Sequence, residues 1–486
     1  MAREWVAINP AQRSTDLEVS FNQERRLLFE EWIRGLSGPT TKRFLPYNIP
    51  AAFRLTGALD SRALELALRE VIRRHAALRA TFSPALQTNP TERRAALEKH
   101  ARTGVPPSGF YKQSAHELCE FAIRNEALDN LDDEKSRAII DAEMEASFDY
   151  QRTPLLKALL LRQDAETSLL LLTIHHLAAD LWSLSILRQE LSAIYAHFAD
   201  NEPYRLPNLS IQYPDFCEWQ QKEYPLSGEF DLSFDYWRKQ WSEYAGNEPK
   251  LEDIHFALPK REGFAAATDR QVIALRPDEL NRAEEIARRF KTTCHGVFLT
   301  ALAVLLHAYT AKRHIVIWQF FANRIRPETQ HLIGWFANPH AIGLKIDPDG
   351  MAADLLQEAK KLLLGSMTHQ ELPIPLLWRT LGQRLCHEGP RIIYESIRDL
   401  DTNDAPPLGG LSVNHAVLPT DLRGGINLRA RLLQGENKSS LSIEYPKERF
   451  RAEDIQTMLA DWRDTVAALA DAPDSRISSL IRDKRR

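Results

Sequence analysis

Cysteine is scarce in this chain, with four residues among 486. They are scattered and form no C-x-x-C pair, so we expect neither a disulfide framework nor a zinc site of the usual spacing. This usage fits a reducing cytoplasm, where we expect the protein to act. The four positions are Cys119, Cys217, Cys294 and Cys386.

An excess of charge of either sign is also lacking. The 62 Lys and Arg residues nearly balance the 66 Asp and Glu residues, and a formal net charge of -4 gives no electrostatic reason to wrap nucleic acid. The longest apolar stretches are too short to span a bilayer. Residues 1–19 have no apolar core of the kind found in a secretory signal. We therefore expect neither nucleic acid nor a membrane among the partners.

Three signatures of common enzyme classes are missing as well. The sequence has no G-x-S-x-G elbow, which disfavours a serine hydrolase. It also lacks the glycine motifs that bind a dinucleotide or the phosphates of a P-loop enzyme. Hydrophobic residues make up 44% and charged residues 26% of the chain, as in ordinary globular proteins. A collagen, a coiled-coil rod and a disordered chain are excluded.

The length and the distribution of proline indicate two domains. A chain of 486 residues suits two domains of about 200 residues each. Between residues 201 and 259, prolines and aromatic residues interrupt the regular patterns, as in a connecting region. We predict an N-terminal domain over residues 1–200, and a connecting region with a C-terminal domain over residues 201–486.

Helical and strand patterns occur together in both parts, which predicts an α/β (α+β) fold class. Residues 60–75 form an amphipathic pattern with a capping aspartate, and residues 84–147 are mostly helical in pattern. The apolar runs 155–162 and 168–176 predict two paired strands, the second deeply buried. Helical periodicity resumes over 181–198. Later helices are expected at 277–290, 292–308, 352–368 and 453–469, and later strands at 271–275, 315–321, 341–346, 426–433 and 440–445.

One local pattern points to chemistry: His175 and His176 are adjacent, and Asp180 follows four residues after His176. They lie where an apolar strand ends and a helix begins, a place where catalytic groups are often displayed. An imidazole can accept a proton from an amine, alcohol or thiol near neutral pH. Two other interpretations stay open on these residues alone. The histidines could be ordinary core or surface residues, or His176 and Asp180 could bind a metal, although no third ligand follows at the usual spacing.

Residues 174–183, I-H-H-L-A-A-D-L-W-S, resemble the HHxxxDG signature of the condensation domains of nonribosomal peptide synthetases, which belong to the chloramphenicol-acetyltransferase-like superfamily. Five further segments are similar to core motifs of that family and occur in the same order. The first, S-F-N-Q-E-R-R-L, resembles S-x-A-Q-x-R-L. The five lie at 20–27, 74–82, 213–220, 333–338 and 369–373, and a seventh motif is barely recognisable around 389–391.

The resemblance implies two acetyltransferase-like lobes in a V-shaped pseudo-dimer, with the active site in a tunnel at their interface. A carrier protein would present the donor acyl chain on its phosphopantetheine arm, and the nucleophile would enter from the other face. His176 would orient or deprotonate the nucleophile, His175 would be mainly structural, and Asp180 would form a structural salt bridge with Arg324. Neither a metal nor a bound cofactor is implied.

Six residues are expected to line this tunnel: Leu181, Trp182, Ser183, Trp335, Asn338 and His340. Leu181 stands where the motif has glycine, so it should narrow the space or change the loop, and the acceptor could be unusual. Asn338 could hold a carbonyl or a pantetheine amide. His340, expected in a loop, could be a second titratable group or an exposed residue. Trp335 equally fits a core position.

The expected function is that of a free-standing condensation enzyme, because no adenylation or carrier domain is recognisable in the sequence. It would join a carrier-bound peptidyl or polyketidyl thioester to an amine or alcohol, as in the chain release of antibiotic biosynthesis. One alternative is an acyl-CoA-dependent acyltransferase of the same superfamily, although the D-F-G-W-G motif is missing. Another is a non-catalytic module that recruits carrier proteins. A monomer is expected, with a rate that rises through roughly pH 6 to 8.

Overall fold

The computed structural model of the chain describes residues 6–12, 14–37, 47–85, 89–103, 109–131, 133–244, 249–258, 268–381, 392–398, 408–415, 427–435 and 438–481. Cys386 and the weak motif around 389–391 lie outside these ranges.

The chain divides into two compact units, each assembled from three segments. The first unit comprises Met1–Asp231, Ala322–Ala337 and Leu400–Pro419. The second comprises Leu232–Phe321, Asn338–Asp399 and Thr420–Arg486. The first unit therefore continues beyond the boundary predicted at residue 200.

The first unit extends past residue 200 because the following segment forms hydrogen bonds with the N-terminal residues. The backbone N–H of Phe21 donates to the Gln220 side chain at 3.2 Å, and that of Ala11 donates to Asp215 at 2.8 Å. These contacts attach the aromatic-rich segment after residue 200 to the first unit. A composition shift alone does not show which side of a boundary a segment packs on.

The elements up to the end of the first long segment are, in chain order, β1 (Leu17–Glu18), α1 (Phe21–Ser37), β2 (Asn48–Thr56), α2 (Ser61–Arg74), β3 (Ala80–Pro84), α3 (Pro90–Thr103), β4 (Tyr111–Ala115), β5 (Arg124–Ala127), α4 (Glu134–Met144), β6 (Leu156–Arg162), β7 (Thr167–His175), α5 (Leu181–Asp200), α6 (Tyr213–Lys222) and α7 (Gly228–Tyr244). The remaining elements are β8 (Thr268–Leu275), α8 (Pro277–Arg289), α9 (Cys294–Thr310), β9 (His314–Phe321), β10 (Asn338–Lys345), α10 (Ala352–Thr368), α11 (Ile374–Leu381), β11 (Ile392–Arg398), β12 (Ser412–His415), β13 (Leu428–Gln434), β14 (Ser439–Pro446), α12 (Ala452–Asp471) and α13 (Ile477–Leu480). Mixed strands and helices in both units confirm the predicted α/β class.

A five-stranded sheet with the order β12-β2-β7-β6-β5 organises the first unit, beside a small sheet with the order β1-β4-β3. The central strand β7 pairs antiparallel with both β2 and β6. All its residues from Ser168 to His175 are buried, as the apolar run predicted. The register places Asn48 opposite His175, so the start of β2 lies beside the histidine pair.

The predicted helix at 60–75 is also confirmed, as α2. The Asp60 side chain accepts hydrogen bonds from the backbone N–H groups of Arg62 and Ala63, and so caps the helix. The prediction of a mostly helical segment over 84–147 is wrong in part. It contains α3 and α4, but also the strands β4 and β5, which are short and polar. These strands exist because they pair with β3 and β6, a tertiary effect that local periodicity does not reveal.

The second unit is built on a six-stranded sheet with the order β10-β9-β11-β13-β14-β8. The expected strand at 341–346 begins earlier, because Asn338 already pairs with Phe321 of β9. The hairpin expected around Gln434 is present, since β13 and β14 pair antiparallel, although residues 436 and 437 of its turn are not described. Helix α9 is almost wholly buried in the core of this unit.

Within the described ranges, no single helix has the length and apolar character that crossing a membrane requires. The bent pair α8 and α9, whose axes differ by 101°, passes that test only when the two helices are taken together.

Candidate functional site

The HHxxxD motif occupies the passage from β7 to α5. His175 is the last residue of β7, and Asp180 is the N-cap of α5. The Asp180 carboxylate accepts from the backbone N–H of Ser183 at 2.9 Å and from its hydroxyl at 2.8 Å. An aspartate at this place satisfies one of the free N–H groups of the first helical turn, that of Ser183, and so marks the helix start immediately after the motif.

Asp180 also forms the ion pair that the resemblance implied. Nη2 of Arg324 lies 3.0 Å from its Oδ1, and both side chains are almost completely buried. The other guanidinium nitrogen, Nη1, donates to the carbonyls of Thr329 and Leu332 at 2.8 and 2.6 Å. The guanidinium also lies over the Phe336 ring, 4.3 Å from its centroid. Burial lowers the pKa of Arg324, and Asp180 opposes that change, as expected for a cation that keeps a partner.

The same aspartate holds the segment 333–337, which carries Trp335. Its Oδ2 accepts from the backbone N–H groups of Phe336 and Ala337, each at 3.1 Å. The Tyr213 hydroxyl donates to the Trp335 carbonyl at 2.7 Å. The backbone on both sides of Trp335 is therefore fixed to the start of α5 and to α6 through side chains that are themselves buried.

The start of this segment is anchored by His75, from the second family motif. Its Nδ1 accepts from the backbone N–H of Ile333 at 3.2 Å, so the proton of the neutral ring lies on Nε2, which is 3.0 Å from Glu190 of α5. Arg74 makes two further bonds to the same carboxylate, both at 3.0 Å. These residues link the end of α2, helix α5 and the segment 333–337.

The His176 ring contacts two aromatic side chains. Its ring stacks on Tyr47 with centroids 4.5 Å apart and planes 11° apart, and it packs against Trp335 at the same centroid distance. Its backbone N–H donates to the Tyr47 carbonyl at 2.8 Å. The Tyr47 and Trp335 ring centroids are only 5.8 Å apart, so Trp335 packs against the side of the imidazole and not against the face opposite Tyr47. The two rings together restrict the orientation of the imidazole within the first unit.

Electrostatics keep this ring neutral. Burial is the largest cause and lowers the pKa of His176 to about 4, with a smaller contribution from Arg26, while Asp180 acts in the opposite direction. Nδ1 is buried and has no hydrogen-bond partner among the described residues. The imidazole is therefore a free base at neutral pH.

His175 has a different environment. Its side chain is fully buried, and Nδ1 accepts from the backbone N–H of Leu177 at 3.2 Å. Nε2 lies 3.4 Å from the Tyr150 hydroxyl and 3.9 Å from Oε1 of Glu30. With both ring nitrogens facing protein groups, His175 supports the turn after β7, which agrees with the structural role that the resemblance implied.

Three expected tunnel residues begin α5. Leu181 is 53% and Trp182 48% exposed, so the leucine that replaces the motif glycine projects from the first helical turn without filling a buried space. The Trp182 indole N–H donates to the Gln330 carbonyl at 3.3 Å. Ser183 is fully buried, and its hydroxyl contacts Asp180 and Gly334, so it joins the brace around the ion pair.

Two further expected tunnel residues belong to the second unit, where both are buried. The amide nitrogen of Asn338 donates to the carbonyls of Gln370 and Leu372 at 2.8 and 2.7 Å, whereas its Oδ1 is buried and has no hydrogen-bond partner among the described residues. His340 lies in β10 and not in a loop. It stacks on Trp237 at 4.0 Å, and burial lowers its pKa to about 3. The predicted tunnel and the V-shaped arrangement stay predictions.

Sequence reasoning missed Tyr47 and Arg26. Arg26 belongs to α1 and to the first family motif, and its guanidinium lies 4.2 Å from the Tyr47 ring centroid. Tyr47 has no motif of its own, and only the pairing of β2 with β7 brings it beside His176. Among the described residues no group of three or more His, Cys, Asp or Glu residues could hold a metal ion.

Comparison with known proteins gives the family. The profile described as "Condensation domain" matches residues 108–485, and the chain belongs to the condensation-domain family. Malpinin synthetase of Mortierella alpina is 32% identical over 371 residues, which are 76% of this chain and 4% of that protein. Chondramide synthase cmdD of Chondromyces crocatus is 28% identical over 466 residues, which are 94% of this chain and 11% of that protein. The chain spans only a small part of the length of these two relatives.

Solved structures share the fold. A complex of the X-domain and OxyB from teicoplanin biosynthesis matches with a TM-score of 0.76 at 19% identity, covering 99% of both chains. The first condensation domain of the calcium-dependent antibiotic synthetase matches with a TM-score of 0.70 at 16% identity, covering 96% of this chain and 99% of that one. At these identities, the likeness shows the fold alone.

Proposed function

We propose that this chain catalyses condensation, transferring an acyl group from the phosphopantetheine thioester of a carrier protein to an amine or alcohol. The observation that carries the proposal is the neutral, clamped imidazole of His176 within an intact HHxxxD motif. A general base must be unprotonated at the working pH and fixed in orientation, and His176 meets both requirements.

The chemistry balances without a cofactor. The nucleophile attacks the thioester carbonyl carbon, and a new C–N or C–O bond forms. His176 accepts the proton of the nucleophile. Since Nδ1 is buried, Nε2 is the nitrogen assigned to accept this proton. The C–S bond then breaks, and the proton passes from the imidazolium to the thiolate, which leaves as the free thiol of the carrier.

The test uses purified protein with acyl thioesters of phosphopantetheinylated carrier proteins and a panel of amines and alcohols. Intact-protein mass spectrometry follows loss of the acyl group from the carrier, and liquid chromatography with mass detection follows the product. His176→Gln should lower the rate about 10²- to 10⁴-fold. His116→Gln, an exposed histidine bonded to Thr81, is the matched control and should keep the rate.

The comparison of donors separates the two enzyme hypotheses. If the same acyl group is transferred from CoA as fast as from the carrier protein, the acyl-CoA-dependent alternative replaces the carrier-dependent one. If no donor is consumed faster by the wild type than by His176→Gln, the proposed catalysis is wrong. The free-standing organisation and the monomeric state stay predictions.

One comparison favours a second function, the recruitment of a partner enzyme, because the X-domain was solved in complex with OxyB. This role requires a surface that binds the partner, and it does not require His176 as a general base. It predicts that the producing cell makes its product normally with His176→Gln and loses the product when the chain is deleted.

A further inference from the structure

Helix α1 approaches the histidine pair through two side chains one turn apart. Nε of Arg26 lies 2.5 Å from Oε1 of Glu30, and both side chains are mostly buried, at 16% and 12% exposure. The Arg26 guanidinium covers one face of Tyr47, and the Tyr47 ring stacks on His176. A planar cation on an aromatic face is a stable arrangement, so the stack runs from α1 to the imidazole.

Glu30 continues the same network to the other histidine. The Tyr150 hydroxyl donates to Glu30, and it also lies 3.4 Å from Nε2 of His175. The ring of Tyr150 packs against the His175 ring with centroids 5.0 Å apart. The pair Arg26–Glu30 therefore connects to His176 through one tyrosine and to His175 through another.

Arg26 stands where the family motif S-x-A-Q-x-R-L, aligned on residues 20–26, has leucine. A leucine at this place would supply an apolar contact but neither a cation nor a planar group. The departure puts a positive charge one ring away from the imidazole, because Arg26 and His176 both contact the Tyr47 ring.

We propose that Arg26 is a positioning residue that acts through Tyr47 to hold the His176 ring in its plane. Trp335 contacts the same imidazole from a second side, and its backbone is fixed by Tyr213 and Asp180. The catalytic consequence of this role rests on the proposed function, whereas its electrostatic consequence does not.

The charged and titratable groups around the ring come from several elements. Helix α1 contributes Arg26 and Glu30, the start of β2 the Tyr47 phenol, β7 the neighbouring His175, and the cap of α5 Asp180 with its partner Arg324. Asp180 raises the pKa of His176 and Arg26 lowers it, while burial lowers it most. Removing the Arg26 charge must therefore raise that pKa, and the charge of Asp180 cannot compensate because it is unchanged.

The experiment measures this pKa directly. Protein with ¹³C-labelled histidine is titrated by NMR, and the His176 signal is assigned as the one missing from His176→Gln. Arg26→Leu, which restores the motif residue, should raise the pKa of His176 by about half a unit or more. Arg26→Lys keeps the charge and should leave it closer to the wild-type value. Arg69→Leu removes an arginine from an exposed i,i+4 pair on α2 and serves as the matched control.

Ring orientation has a separate readout in kcat. Tyr47→Ala should lower kcat about tenfold or more at little cost in KM, because the imidazole loses one wall of its clamp. Tyr47→Phe keeps the ring and should restore kcat to within about twofold. Far-ultraviolet circular dichroism checks that each variant is folded.

The outcomes separate this proposal from the proposed function. An unchanged pKa in a folded Arg26→Leu protein overturns the role of Arg26, whatever the activity. A raised pKa with no dependence of activity on His176 leaves the electrostatic role of Arg26 intact and overturns the proposed function. If Tyr47→Phe is as impaired as Tyr47→Ala, the phenol and not the stacked ring is what matters, and the clamp is wrong.

Discussion

Arg324 and Asp180 meet at 3.0 Å with both charges almost completely shielded from water. The pair joins the residues that follow β9 to the cap of α5, and the same carboxylate accepts the N–H groups on the C-terminal side of Trp335. One aspartate therefore fixes a helix start, an arginine and one wall of the His176 clamp. Its importance is architectural, and it does not need to exchange protons.

Breaking this pair should be costly. Asp180→Ala leaves the Arg324 cation buried without its partner and should lower the free energy of unfolding by about 3–5 kcal/mol, measured by urea denaturation. Asp235→Ala, which removes the exposed partner of Arg238, is the control and should change it by under about 0.5 kcal/mol. Equal effects of the two variants would contradict the assigned role of the buried pair.

Gly334 should not tolerate a side chain. A Cβ at this position would lie 2.2 Å from Cδ2 of Tyr213, in a ring that is fully buried and hydrogen-bonded. Gly334→Ala should destabilise the protein by roughly 1–3 kcal/mol and should displace Trp335 from His176. Gly228→Ala meets no atom within 4 Å at the first residue of α7, and its unfolding free energy should be unchanged or slightly higher. A crystal structure of Gly334→Ala in which Trp335 keeps its place beside His176 would refute the predicted displacement.

The pH dependence of the rate should be flat where the sequence predicted a rise. With the pKa of His176 lowered to about 4, chiefly by burial, the free base already exceeds about 90% at pH 5.5. The acid limb of kcat/KM should therefore lie near pH 4, and pH 6 to 8 should show no titration of this base. An acid limb of kcat/KM centred near pH 6.5 in the wild type, and missing from the residual activity of His176→Gln, would contradict this prediction. It would show that the His176 ring is solvated during catalysis.

Stability should fall on mild acidification. A histidine whose pKa is lower in the folded state binds its proton more readily when unfolded, so its stabilising effect is present above the unfolded value near 6.5 and is lost as pH falls towards the folded value. Burial lowers the pKa of His340 to about 3, so this residue alone should remove about 2 kcal/mol between pH 7 and pH 5. His340→Gln should reduce that difference in urea denaturation by a similar amount, and an unchanged difference would contradict the assignment.

The sequence predicted those parts of the fold whose local pattern and tertiary position agree. The apolar run of β7 is uninterrupted because strands flank it on both sides, and Asp60 marks a helix start because its carboxylate caps α2. The strands β4 and β5 were missed because pairing with β3 and β6, not their own residues, makes them strands. The sequence predicts a loop at His340 because residues 338–340, Asn-Pro-His, do not show the apolar pattern of a strand and hide the start of β10.

The residues of the candidate site also fall into two groups, those that the sequence motifs identify and those that only the tertiary structure brings to the site. The motif identified His176 and Asp180, and the resemblance implied Arg324, because these residues carry a recognisable spacing. Tyr47 could not be found, since only the register of β2 against β7 brings it beside the imidazole. The roles of Ser183 and Asn338 also depend on partners distant in the chain, Gly334 for the first and Gln370 and Leu372 for the second.

The three-segment composition of the first unit has a consequence for its biosynthesis. Arg324 and Trp335 belong to Ala322–Ala337, which is translated only after Leu232–Phe321 of the second unit has followed the first segment. A nascent chain emerging from the ribosome can form β7 and α5 early, yet the Asp180 carboxylate has no cation to meet until that later stretch arrives. Maturation of the histidine-bearing half must therefore wait for much of the other half to be synthesised.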